Sequence, residues 1–307
     1  MAATSTTQLA ADLQTYFSKK LLVQAEYKVV LDQFGYKENI PSASSKTISF
    51  TQYADLAVAT SPLTEGTPPT DTQLSTSAIT ATIDQLGAYV TLTDLAELTV
   101  KHPVVQKTTE LLGVQAARSY DRVINAVIVA GTNVIYPGAI ASRATITTTT
   151  YLTFAEIRKA VALLRNNGAS EFDDGNFVLV LDPSVETDLM GDTTFQNTVY
   201  RQPDPVKGNE LYKGTITKFA GVTVVRSNNI PTILGGVGGA IPIHTSYVFG
   251  QNSYAVTNLQ TLQMYKEGPG TVSDPLHQKM TMGWKVGFKA VILNNNFFVR
   301  LESASAF

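Results

Sequence analysis

A threonine-rich stretch at residues 45–94 leads almost directly into a helical stretch at residues 103–130, and no other feature constrains the fold of this chain as much. Ile48 and Phe50 stand two apart in the first limb of the stretch. In the second limb Ile79, Thr80, Ala81, Thr82 and Ile83 alternate, which puts the apolar groups on one face of a strand. Glu65, Gly66, Thr67, Pro68 and Pro69 between the limbs are turn formers, so the whole reads as an extended hairpin. A limb of about 15 residues reaches about 50 Å at ~3.3 Å per residue, and a two-stranded ribbon is marginal on its own. Such an arm needs something to lie on. If that is a neighbouring copy, the chain is a building block rather than a catalyst.

A chain of 307 residues has room for one large or two ordinary domains and can bury a real core. Hydrophobic residues make up 44% and charged residues only 16%, the second figure well below the roughly 25% usual in soluble domains. A surface covered by partners explains that deficit, and so does a surface rich in Thr, Ser and Asn. A net charge of -2 gives no general attraction to nucleic acid, which argues against a sequence-reading domain. The absence of cysteine removes disulfides, thiolate metal sites and a Cys nucleophile together. The first residues lack a basic start followed by an apolar run, and no stretch approaches the roughly 18 consecutive apolar residues of a membrane span. The chain reads as soluble and cytosolic.

Along the chain, residues 7–31 carry helical periodicity through Leu9, Leu13, Phe17 and Leu21; this helix either docks on a partner or closes the core of its own subunit. The stretch at 103–130 is the longest helical pattern, with Val105, Leu112, Ala116, Tyr120, Val123, Val127 and Ala130 at three- or four-residue spacing. Pro103 suits its first turn and Gly131 its stop, and Gly113 inside it leaves a bend open, although one helix is the favoured reading. Thr153 and Glu156 form a capping-box pair that opens a second helix, with Phe154, Ile157, Val161 and Leu164 as its buried stripe. Residues 177–181 are a buried-strand run, after which Asp182 and Pro183 suit the N-cap and first position of a short helix. Beyond residue 200 the pattern is strand and loop, at 222–225, 247–249 and 259–265. Met280, Met282, Trp284, Val286, Phe288, Ala290 and Ile292 alternate without a miss, with Thr281, Lys285 and Lys289 facing the other way. That strand must pair with something distant in sequence, or in a bent hairpin with residues 297–301.

The chemistry-bearing residues do not form a recognisable site. His102, His244 and His277 fall in three separate segments, without the i, i+4 spacing of a helical metal pair, and read as surface, capping or core residues. No Gly-x-Ser-x-Gly elbow is present. Asp182, Glu186, Asp188 and Asp192 form the densest acidic cluster, but without calcium-loop spacing. Asp173 and Asp174 before Gly175 are a turn signal. Gly235, Gly236, Gly238 and Gly239 lack the lysine and Ser/Thr of a phosphate loop. Trp284 with Met280 and Met282 reads as a core face rather than a binding stripe. Catalytic residues, cofactor and metal are therefore expected to be absent.

The runs TSPLTEGTPPTDTQLS (60–75), TELLGVQAARSYDRVINAVIVAGTNVIY (109–136), LRNNGASEF (164–172), FAGVTVVRSNNIP (219–231) and GWKVGFKAVILNNNFFVRLES (283–303) resemble segments of tailed-bacteriophage major capsid proteins, in the same order. The resemblance covers nearly the whole chain. It implies an α+β, Hong Kong 97-type capsid fold divided into an N-terminal arm (1–44), an extended hairpin loop (45–95), a peripheral domain with a spine helix (96–151), a compact axial domain (152–275) and returning peripheral strands (276–307). It also implies that the extended loop reaches over a neighbouring subunit. About 40 residues precede the arm, which departs from relatives carrying a cleaved scaffolding segment and implies a separate scaffolding protein or none. Some relatives cross-link through a lysine and an asparagine; Lys46 at the start of the arm reads as an ordinary solvated side chain.

The expected function is a self-assembling shell protein forming hexamers and pentamers of an icosahedral capsid around double-stranded DNA, assembled in the host cytoplasm. Ile48, Phe50, Ile79, Ile83 and Glu65 are the expected inter-subunit contacts. Expected partners are copies of the chain, a portal protein, separate scaffolding or decoration proteins, and non-specifically held DNA, with no membrane. The alternatives are the shell of a cellular nanocompartment and, more distantly, a β-rich hydrolase or carbohydrate-binding protein using the loops at 235–244.

Overall fold

The computed structural model describes residues 21, 29–40, 45–54, 56–60, 62–63, 65–66, 71–99, 103–194, 196, 218–267, 276 and 278–306. Two sheets and one long helix organise them. The first sheet has four strands: β1 (Tyr36–Asn39), β11 (Tyr254–Glu267), β12 (Lys279–Ile292) and β4 (Asp84–Thr93), neighbours in that order. The second has seven. Its main path runs β5 (Val134–Ile135), β13 (Phe298–Ser303), β10 (Ile241–Phe249), β6 (Phe177–Leu181), β8 (Val222–Arg226) and β7 (Lys218–Phe219), with β9 (Ile233–Gly235) paired to β10. A separate ribbon joins β2 (Thr47–Tyr53) to β3 (Thr76–Thr82). Four α-helices are described: α1 (Asp94–Thr99), α2 (Val104–Ile128), α3 (Phe154–Asn166) and α4 (Pro183–Met190).

Helix α2 runs unbroken through Gly113, which is buried. Its buried stripe is Thr109, Leu112, Gly113, Ala116, Ala117, Asp121, Ile124, Asn125 and Ile128, whereas Ala130, the last residue of the expected stripe, is exposed. Tyr120, Val123 and Val127 of the expected stripe are half-buried against the same core, while the fully buried line runs through Asp121, Ile124, Asn125 and Ile128, two of them polar. The first half of α2 covers the first sheet: Tyr120 stacks on Phe288 at 4.0 Å between ring centres, and the Trp284 indole N–H donates to Gln115 Oε1 at 3.2 Å. The second half covers the second sheet, where Ile124 and Ile128 join one apolar cluster with Val178, Val180, Tyr247 and Phe249. On the opposite face of that sheet, Ile157, Val161 and Leu164 of α3 and Val185 and Leu189 of α4 pack with Phe177, Leu179 and Leu181.

Strand β12 finds the distant partner, β4 (Met280↔Leu92 through Phe288↔Asp84), and pairs on its other side with the preceding β11. Residues 298–303 go to the second sheet instead, against β10. Strand β11 thus lies in the first sheet and β13 in the second. Of the expected helix at 7–31, Leu21 is helical and fully buried in the main core, and 29–34 end in a 3-10 turn at Leu31–Phe34; its other residues lie outside the described ones. At α3 the capping box takes another form. Thr153 Oγ1 bonds the Glu156 carboxylate directly, and the Phe154 N–H is accepted by Asp192 Oδ2 at 2.8 Å.

Candidate assembly surface

The ribbon root is fixed to its own subunit. Phe50 faces Ile79 and Ile48 faces Ala81 across β2 and β3, one apolar face of half-buried and buried side chains. Phe50 meets Tyr36 edge to face with ring centres 6.4 Å apart, and with Ile79, Leu293 and Phe297 it lines a cleft of about 460 Å³. The Ile83 N–H donates to the Lys46 carbonyl at 3.0 Å, and Lys289 Nζ reaches Asp84 Oδ2 at 2.8 Å. Ile83 itself is 1% exposed. It is an internal anchor of the subunit and has no surface left for a neighbour, which corrects the expectation for that residue: strand alternation identifies a buried face without saying which chain buries it.

Farther out the character reverses. The Ala54 N–H to Ser75 carbonyl bond, 3.0 Å, is the outermost described backbone bond between the limbs. Beyond it Leu56, Val58, Leu63 and Leu74 are 56 to 85% exposed. Glu65 and Gly66 form an exposed turn with Gly66 at a φ of 79°, while Thr67, Pro68 and Pro69 lie outside the described residues. These four exposed residues were missed because they follow no strand period; the available signal was large apolar residues within a Pro/Thr-rich stretch.

Among the described residues, the first sheet leaves one face uncovered. The odd-numbered residues of β12 point outward there. Gly283 pairs with Tyr89 on one side and Tyr265 on the other, so two tyrosines flank a glycine in one cross-strand row. Tyr89 is 75% and Tyr265 44% exposed. With Gly87, Gln85, Thr281, Lys285 and Glu267 they line a shallow groove of about 500 Å³. A Cβ on Gly283 would sit 2.8 Å from Tyr89 Cβ, and one on Gly87 would sit 2.7 Å from the Trp284 carbonyl oxygen, so the groove floor admits no side chain.

Behind these surfaces, buried polar groups lock the helix to both sheets. Asp121, 1% exposed, accepts the backbone N–H groups of Val30 and Leu31 at 3.1 to 3.2 Å, and burial pushes its carboxyl up to about 6 despite those bonds. Tyr247 donates to Asn125 Oδ1 at 2.6 Å, and burial raises its hydroxyl to about 12. Glu302, fully buried, accepts two bonds from Arg143 at 2.5 and 2.8 Å. It also stands 2.7 Å from Arg300 Nε, an ion pair whose N–H is not aimed for a hydrogen bond. Arg300 reaches the Val129 and Gly131 carbonyls at the end of α2, where a cation complements the helix dipole.

The acidic cluster disperses into structural roles. Asp182 caps α4 through the Ser184 N–H at 3.3 Å and faces His244 Nδ1 at 2.9 Å; burial opposes its charge, but these two partners hold its carboxyl below the usual range. Glu186 pairs with Arg226, Asp188 accepts the Ala306 N–H at 3.2 Å, and Asp192 accepts from Phe154 and Thr194. Asp174 bonds Lys218 and Thr223, which hold it at about 2. The loop at 235–239 folds as a turn with Gly236, Gly238 and Gly239 at positive φ, tied by the Val237 N–H to the Ile146 carbonyl. Among the described residues no three His, Cys, Asp or Glu converge as metal ligands, and no helix is long and apolar enough to cross a membrane. His102 and His277 lie outside the described residues.

Residues 76–297 match the family model described as phage capsid protein. No curated protein matches the chain. Among solved structures it is similar to the capsid of cyanophage P-SCSP1u, at 18% identity over 91% of this chain and 89% of that one with a TM-score of 0.66. The capsid of cyanophage Pam1 (17%, 92% of each, 0.65) and the head of Helicobacter pylori bacteriophage KHP40 (13%, 87% of each, 0.68) are similar as well. The shared fold is the Hong Kong 97-type phage capsid fold.

Proposed function

Since the chain belongs to the phage capsid protein family, we propose that it is the major capsid protein of a tailed phage, building hexamers and pentamers of an icosahedral shell around double-stranded DNA. The observation that carries this reading is the outer arm, whose Leu56, Val58, Leu63 and Leu74 stand exposed beyond a root anchored to its own core. Fully burying one such side chain is worth about 1.5–3 kcal/mol. Repeated at every interface of a closed shell, modest contacts sum to a stable particle. In this reading the five-part division at 44/45, 95/96, 151/152 and 275/276 describes the assembled subunit. Ile48, Phe50 and Ile79 brace the root of the loop, and Glu65 sits at its reaching end. A portal protein and separate scaffolding or decoration proteins complete the particle, which forms in the host cytoplasm. With a net charge of -2, the shell holds DNA weakly and without sequence preference.

Electron microscopy and sedimentation of the purified chain, alone and co-expressed with its phage's head proteins, test the reading. Closed shells or capsomers are expected; a homogeneous monomer under both conditions would overturn it. A virus-like particle from Pyrococcus furiosus shares the fold, at a TM-score of 0.54 over 94% of this chain. That likeness favours, as a second reading, the shell of a cellular nanocompartment. Nuclease-protected DNA inside the particles supports the phage reading, and co-purifying protein cargo supports the other.

A further inference from the structure

The two sheets guard their edge strands unequally. The seven-stranded sheet ends in strands of two residues, β5 and β7. The four-stranded sheet ends on one side in β1, four residues that include Lys37 and Glu38. Short or charged edges of this kind resist pairing with another chain. The other edge, β4, has ten residues with a single charge at Asp84, no lysine and no proline, and its pairing with β12 runs from end to end without a bulge. Among the described residues, 84–93 make no backbone hydrogen bond beyond the β12 pairing. Leu86, Ala88 and Leu92 pack on the main core, yet Val90 in the same row is 39% exposed. An open row of N–H and C=O groups of that length is a template for a further strand.

We infer that the further strand is β4 of a second copy, paired antiparallel about a twofold axis at Tyr89, so that two four-stranded sheets become one continuous sheet. Directly opposed residues share a face of the sheet, and β4 is self-complementary in this register: Leu86 meets Leu92, Ala88 meets Val90, and Tyr89 meets its equivalent. Moving the axis by one residue sets Asp84 opposite Leu92 in one direction and Asp94 opposite Leu86 in the other. With the axis at Tyr89, Asp84 faces Asp94 only at the ends of the paired stretch, and Lys289 at 2.8 Å already offsets the charge of Asp84. Antiparallel pairing puts the twofold axis perpendicular to the sheet. Both copies then keep α2 on one side and the tyrosine groove on the other, as subunits lying side by side in a wall must; stacking the open faces would turn one copy over. This assignment rests on the shell reading and adds to it which edge meets its own equivalent.

Because the chain has no cysteine, one introduced thiol reports on a twofold contact. In the paired edge the two copies of residue 89 have Cα atoms about 4.5–5.5 Å apart, within disulfide reach. Residue 265 and its equivalent lie five strand spacings apart, about 24 Å. Sedimented particles of Tyr89→Cys oxidised with copper phenanthroline should give about tenfold or more the disulfide-linked dimer of Tyr265→Cys particles. If Tyr89→Cys forms no particles, Gln85→Cys and Thr93→Cys, which the register sets opposite each other, are co-expressed on tagged and untagged chains and should cross-link by the same margin over either variant alone. Dimer at the control level, as a foreign strand on this edge would give, overturns the β4 pairing and leaves the shell reading standing. No particles from the unsubstituted chain, with or without the phage's head proteins, would remove the shell reading and this assignment with it. In parallel, Tyr89→Lys should lower the yield of sedimenting particles by setting like charges opposite each other, and co-expression with Tyr89→Glu should restore it. A normal yield from Tyr89→Lys, or a loss that Tyr89→Glu does not rescue, would count against the pairing.

Discussion

The two sheets share one helix but differ in how they are covered. The seven-stranded sheet is enclosed on both faces: every residue of β6 and β13 is buried, as are the last seven of β10. The four-stranded sheet has α2 on one face and a glycine-floored groove between exposed tyrosines on the other. Enclosed surface can stabilise only the subunit that owns it. Uncovered surface adds little to that subunit and is available to another. The comparison therefore separates residues that make the chain fold from residues whose surface its own fold leaves open.

The largest test falls in the enclosed sheet. Glu302→Ala would leave Arg143 and Arg300 without their shared carboxylate and should cost about 3–5 kcal/mol in subunit unfolding by urea, because a buried charge is left uncompensated; a loss below 1 kcal/mol would mean that the triad is not a unit. Next comes Asp121, where α2 passes from one sheet to the other. Its folded pKa, about 6, lies above the ordinary aspartate value of 3.8. Its contribution is thus fully present below the lower value and is lost as pH rises through the higher one, a change of up to about 3 kcal/mol at 1.36 kcal/mol per unit. Asp121→Asn should flatten that part of the stability profile between pH 4 and 7. Asp182→Ala removes the α4 N-cap and should cost about 1 kcal/mol, read as a shift in the urea midpoint. At the bottom of the scale, Tyr89→Ala and Tyr265→Ala should each change subunit stability by less than about 0.5 kcal/mol. A large loss there would blur the line between the two sheets.

The same contrast explains what the sequence could disclose. A one-sided sheet writes alternation into its strands, so β12 was legible residue by residue, including Trp284 inward and Lys285 outward. A two-sided sheet writes continuous apolar runs, so β6 was legible as a buried strand, but which of the strands read farther along the chain would flank it was not. Along α2 the burial of Asp121 and Asn125 was not legible, because a polar residue shows its partner only in three dimensions. The arm was legible as a hairpin. Its division into an anchored root and an exposed end was not, since Ile83 and Leu63 look equally apolar until the structure shows which of them its own chain covers.

Strand β4 at residues 84–93 finds its partner only at residues 279–292, and that separation sets an order of events at the ribosome. Tyr89 is synthesised early and Tyr265 late, but neither belongs to a groove until Gly283 has been placed between them. Non-local pairing of this kind is slow and waits for nearly the whole chain. A chain truncated before β12 would leave β4 without its partner strand and the groove unformed. The long-range pairing thus acts as a timer, withholding the finished sheet from all but nearly complete chains.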